Sequence, residues 1–138
     1  MNLRIPLIVA GAAFVAGSCS TTPAQEARTP KAEQRLAEAI DGRVAGPPVE
    51  CMPNYRSATQ MQIIDDNTLV FHDGNTVYVQ NPPGGCRGLG IGGYTLVTRQ
   101  FGASQICRGD INNMVDIRNG MLGGSCVFGP FIPYRKAG

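Results

Sequence analysis

QMQIIDDNTLVFHDGNTVYVQ, running from Gln60 to Gln80, is the stretch that decides the fold. It holds three short runs, Gln60–Ile64, Thr68–His72 and Thr76–Gln80, separated by Asp65-Asp66-Asn67 and Asp73-Gly74-Asn75. β-branched and aromatic residues suit a pleated, half-buried surface, whereas Asp, Asn and Gly supply the local hydrogen bonds and backbone freedom of tight turns. The reading is an antiparallel meander whose second connection is a hairpin. Val77 and Val79 share one face, so Tyr78 is expected to point away from it and to be the best exposed partner contact.

Toward the C-terminus the same texture continues. Tyr94–Arg99 reads as a strand, and Asn113–Ile117 and Cys126–Ile132 read as a hairpin around Asn119-Gly120. Pro130 and Pro133 place the end of that segment at a sheet edge, because proline cannot donate to a ladder. The expected fold is mainly β: a small rolled sheet or barrel of five or six short antiparallel strands, stapled by disulfides and preceded by one short helix. Its core is drawn from Ile63, Leu69, Phe71, Val77, Val79, Leu96, Val115, Ile117 and Phe128. Of the 18 glycines, 14 follow Cys51, which marks 51–138 as the β domain.

Working back toward the N-terminus, residues 31–50 read as a short helix and a Gly/Pro linker. Thr29 is placed to cap the helix, Pro30 suits its first turn, and Gly42 can end it. Leu36 and Ile40 give it a narrow apolar stripe, and so short a helix must dock or fray. Residues 19–30 are polar and proline-containing, as a flexible tether should be. Residues 1–18 place Arg4 ahead of an apolar run from Ile5 to Gly17, too short to span a bilayer and matched to a secretory signal. The end of that run, Ala16-Gly17-Ser18-Cys19, resembles the lipobox of bacterial lipoproteins, with Ala16 where that pattern prefers Leu. The resemblance implies an acylated Cys19 after cleavage, and Ser20 implies the outer membrane. An ordinary signal cleavage at the same bond would instead leave a soluble periplasmic protein.

The chain has five cysteines: Cys19, Cys51, Cys86, Cys107 and Cys126. In an oxidising compartment an odd count leaves one thiol over, and lipid on Cys19 leaves four to close two disulfides. Four cysteines allow three pairings, and their spacing does not choose among them. A bridge closing several tens of residues is worth about 4 kcal/mol in the chain-entropy model, which a thin core of this size needs.

The chemistry-bearing patterns are few. A formal charge of +2 gives no basic stripe for nucleic acid, and a single histidine disfavours a His-built metal site. No cofactor or metal is expected. Gly88-Leu89-Gly90-Ile91-Gly92-Gly93 spells a dinucleotide fingerprint, but Tyr94-Thr95-Leu96-Val97-Thr98 after it is strand-like where that motif needs a helix. The segment Pro82–Gly93 is read instead as a mobile loop, pinned at most by Cys86, with Gly88, Gly90 and Tyr94 as candidate ligand contacts. Tyr55, Phe101, Phe131 and Tyr134 are further aromatic candidates for an interface. Cys107 or Cys126 with His72 would be the parts of a thiol hydrolase, oriented by Asp73 or Asp110, although no local signature surrounds them. Asp65-Asp66-Asn67 reads as a turn and Arg108-Gly109-Asp110 as a bend.

From Ala37 to Tyr134 the chain resembles a family of small proteobacterial envelope proteins of unknown function. The stretches that carry the resemblance are 41–51 (DGRVAGPPVEC), Ile64-Asp65-Asp66, Val77-Tyr78-Val79, Leu96-Val97-Thr98-Arg99 and Phe131-Ile132-Pro133-Tyr134. It implies pairing of Cys51 with Cys107 and of Cys86 with Cys126, and it carries no catalytic residue. The expected function is a lipid-anchored periplasmic module, non-enzymatic and either binding or structural, joined to the membrane by its acyl chains and, as a binder, to another envelope protein or cell-wall component by its β domain. By analogy of fold, a narrower form is an inhibitor of a cell-wall lytic enzyme.

Overall fold

The computed structural model describes residues 27–53, 60–99 and 104–137 of the 138. The signal segment, Cys19, the first part of the tether, Tyr55 and Phe101 lie outside the described residues. The described chain runs through helix α1 (Pro30–Ala39), β1 (Arg43–Ala45), β2 (Cys51–Met52), β3 (Met61–Asp65), β4 (Thr68–Asp73) and β5 (Thr76–Gln80). A 3-10 turn at Leu89–Ile91 follows, then β6 (Tyr94–Thr98), β7 (Ile106–Cys107), β8 (Ile111–Asp116), β9 (Leu122–Val127) and β10 (Phe131–Lys136).

The protein is mainly β and its strand pairs are antiparallel. Among the described residues the strands form a five-stranded sheet in the order β1-β10-β5-β4-β3, a three-stranded sheet β6-β8-β9, and a β2-β7 ribbon, with no closed barrel. The meander is present as β3-β4-β5, and Asp73 faces Thr76 across Gly74-Asn75, where Gly74 takes the left-handed φ of +55°. Ten strands appear among the described residues where five or six were expected. β1, β2 and β7 are two or three residues long, too short to show a period of two. The apolar run 126–132 divides at Phe128-Gly129-Pro130, so its two halves enter different sheets.

β10 is an inner strand despite Pro133. Phe131 exchanges both backbone hydrogen bonds with Val49, and Pro133 accepts from Gly46 N–H at 2.7 Å, so the missing donor of Pro133 faces the Gly46–Val49 segment. There Pro47 and Pro48 carry the chain out of the ladder, and the absent N–H leaves no regular strand partner unsatisfied. The segment read as a helix and linker thus supplies a strand to the main sheet.

Helix α1 docks. The Thr29 hydroxyl accepts from Ala32 N–H, Gly42 at φ +66° carries the chain out, and Ala32 is buried with Leu36 and Ile40 against Ile64, Val70, Val77 and Val79. Arg35 crosses to the carbonyls of Ile63 (2.7 Å) and Ile64 (3.3 Å). The opposite face of the sheet carries Leu69, Phe71, Tyr78 and Phe131, which join Met52, Leu89, Ile106, Met114 and Phe128 in the larger core. Phe71, Phe128 and Phe131 meet edge-to-face with centroids 5.6–6.0 Å apart.

This double coverage corrects two readings. Tyr78 does point away from Val77 and Val79, but that face is also covered, and Tyr78 is buried. Burial pushes its phenol up, with Arg135 opposing. In β8 the buried residues are Asn112, Met114 and Asp116, so Val115 is only half-buried and Ile117 is exposed. Both disulfides form, Cys51 with Cys107 and Cys86 with Cys126. The first joins directly opposed residues of the β2-β7 ribbon, and the second ties the glycine loop to β9.

Candidate functional site

The glycine loop is held, not free. The carboxylate of Asp66, in the β3-β4 turn, accepts from Gly88 N–H (2.9 Å) and Gly90 N–H (2.6 Å), while the Asp66 carbonyl accepts from Cys86 N–H (2.6 Å). Backbone amides converging in a glycine-rich turn make an anion cradle, and here the anion comes from the chain itself. The turn is built for this: Asp65 Oδ1 accepts from Asn67 N–H, leaving Asp66 to face the loop. Gly90 allows the approach, since a Cβ there would stand 2.9 Å from Asp66 Oδ1. Gly88 and Gly90 therefore spend on Asp66 the donors a ligand would use. The third residue of that set, Tyr94, is half-buried against the larger core and lies on Gly123, where no side chain fits.

The other candidate chemistry disperses. Cys107 and Cys126 are both in disulfides. His72 sits on the helix-side face of β4 with Nε2 3.4 Å from Gln62 Oε1, whereas Phe71 and Cys126 belong to the core on the opposite side. Asp110 Oδ2 turns back to Cys107 N–H at 2.8 Å, which folds the Arg108-Gly109-Asp110 bend on itself. Phe131 is buried and Tyr134 packs half-buried near the helix. Among the described residues no group of three or more His, Cys, Asp or Glu side chains could hold a metal ion, and no helix is long and apolar enough to cross a membrane.

What the sequence reading missed is a surface. Strand β8 is inverted: it buries Asn112 and Asp116 and exposes Ile111. The buried polar groups are satisfied, Asn112 by Thr98 Oγ1 (2.6 Å) and the Asp110 carbonyl (3.1 Å), and Asp116 by Arg118 through its backbone N–H (2.8 Å) and guanidinium. The Arg118 side chain holds the Asp116 carboxyl below its ordinary value. Register places Ile111 opposite Val127, Val115 opposite Leu122 and Val97 opposite Asn113, so one outer face carries Val97, Ile111, Val115, Leu122 and Val127 among Thr95, Asn113 and Ser125. Exposed Arg99, whose N–H donates to the Ile111 carbonyl at 3.3 Å, continues the register at the end of β6 and borders this face. The signal was present as alternation in Ile111-Asn112-Asn113-Met114-Val115-Asp116, but hydrophobicity alone assigns its apolar phase to the core.

Comparison of the chain with known protein families, with curated proteins and with solved structures found no match.

Proposed function

We propose that this chain is a lipid-anchored bacterial envelope protein, acylated on Cys19, that acts as a non-enzymatic module and docks another envelope protein on the outer face of β6-β8-β9. The inversion of β8 carries the reading. A strand that buries Asn112 and Asp116 while leaving β-branched side chains in water gains little by itself, and contiguous exposed apolar patches mark interaction sites. Support for the anchor comes from the signal-like start and from parity, since two disulfides among the other four cysteines leave Cys19 as the odd one. Several acyl chains, at about 0.8 kcal/mol per buried CH₂, make such attachment lasting. A non-enzymatic role fits the engagement of both candidate nucleophiles in disulfides.

The test is site-specific photo-crosslinking in native membranes, with the reactive residue at Val97 or Ile111 and a control at Val44, an exposed residue of the first sheet's β1 edge. A discrete adduct from Val97 and Ile111, absent from Val44 and lost in Val127→Asp, is expected. Adducts that ignore position, or none at Val97 and Ile111, would count against the docking face.

A further inference from the structure

The geometry points to a second use of this domain: the β8-β9 hairpin end, together with Ile91, is a lipid-contacting tip that seats the anchored domain on the bilayer surface. This rests on the acyl anchor at Cys19 proposed above. The most exposed large apolar residues described gather there: Ile91 (89% exposed), Ile117 (68%) and Met121 (67%), with Leu122 (71%) where the tip borders the docking face. They are neighbours through the backbone, since Ile117 N–H donates to the Gly93 carbonyl and Leu122 pairs with Val115. Exposed Arg87 lies in the same glycine loop as Ile91, and Arg118, largely exposed with its guanidinium paired to Asp116 at 3.1 Å, stands within the hairpin. Apolar side chains flanked by arginines match the boundary between acyl chains and anionic headgroups.

The position of the tether decides between a bilayer and a protein as the occupant of this end. The described chain enters at Arg28, which donates to Thr68 Oγ1 (3.0 Å) and Asn81 Oδ1 (3.3 Å) and lies 4.0 Å from Asp65. Asp65 adjoins Asp66, whose carboxylate grips Gly90, and Gly90 adjoins Ile91. The tether thus reaches the domain at the same end as the apolar tip. Eight residues lie between Cys19 and Arg28, and the nine steps extend at most about 30 Å. An anchor that short, entering at that end, holds the tip toward the membrane. Val44 lies at the opposite end of the five-stranded sheet, where β1 pairs with Arg135 and Lys136.

The chain contains no tryptophan, so Met121→Trp introduces a single reporter on an exposed side chain. The full protein, extracted acylated from native membranes, is reconstituted in phosphatidylethanolamine–phosphatidylglycerol vesicles carrying brominated acyl chains, with Val44→Trp as control and Ile91→Trp as a second reporter should Met121→Trp fail to fold. The expected result is blue-shifted, bromine-quenched emission from Met121→Trp and neither effect from Val44→Trp. Unquenched emission from the tip, or equal quenching of both, overturns the proposal, and the first outcome leaves these side chains to a protein partner. The intact mass of the same sample is read separately: absence of acyl chains overturns the anchoring reading itself.

Discussion

Asp66 and Gly90, 24 residues apart, are joined by a 2.6 Å hydrogen bond from the Gly90 N–H to the Asp66 carboxylate, and the same carboxylate holds Gly88. A sequence that looks like a nucleotide cradle is in this way closed by its own acid. Asp66→Ala should lower stability by about 2 kcal/mol, because hydrogen bonds to a charged acceptor are lost and the Gly88 amide is left half-buried. Gly90→Ala should act in the same direction by crowding Asp66. Urea titration of both variants, with disulfides intact, checks the clamp.

The Asp116–Arg118 pair gives a pH dependence of known sign. Hydrogen bonds from Arg118 hold the Asp116 carboxyl below its ordinary value, so folding favours the ionised form. That contribution is whole above the unfolded carboxylate value of about 3.9 and fades as pH falls through the lower folded value. Asp116→Asn should remove this part of the acid-side loss. Thermal melts across the acid range, compared with the parent protein, measure it.

The burial phase of β8 predicts a contrast between Met114 within it and Ile117 just past its end. Met114→Ala should cost about 2–5 kcal/mol, since Met114 is enclosed by the larger core. Ile117→Ala should stay within about 0.5 kcal/mol, as Ile117 stands in solvent. Reversed values would mean that the strand is out of register.

The two disulfides should reduce in order. Cys86 is wholly buried and Cys126 nearly so, whereas Cys51 and Cys107 are half-exposed in a two-stranded ribbon. Limited reductant followed by alkylation and peptide mass mapping should label Cys51 and Cys107 first. Each bridge, closing a loop of 56 or 40 residues' separation, should be worth about 4 kcal/mol.

The meander was legible because its runs alternate and its turns use Asp, Asn and Gly, chemistry local to a few residues. The helix was legible from Thr29, Pro30 and Gly42 for the same reason. What escaped reading depends on which surface covers which. Tyr78 was placed correctly in phase, yet its outward face lies in the larger core with Met52, Ile106 and Phe128, residues distant from it in sequence. Pro133 sits in an inner strand because its donor side faces the bend at Pro47-Pro48. The apolar outer face of β8 went unseen because Ile111 and Val115 look like core in sequence, and only the buried bonds of Asn112 and Asp116 show otherwise.

The most direct measurement is the intact mass of the protein extracted from its native membranes, with and without thiol alkylation under non-reducing conditions. The expected result is a chain cut before Cys19, carrying acyl chains there, with no alkylatable thiol. An unacylated chain, or a reactive thiol at Cys107 or Cys126, would contradict the account of an anchored, doubly stapled binding module.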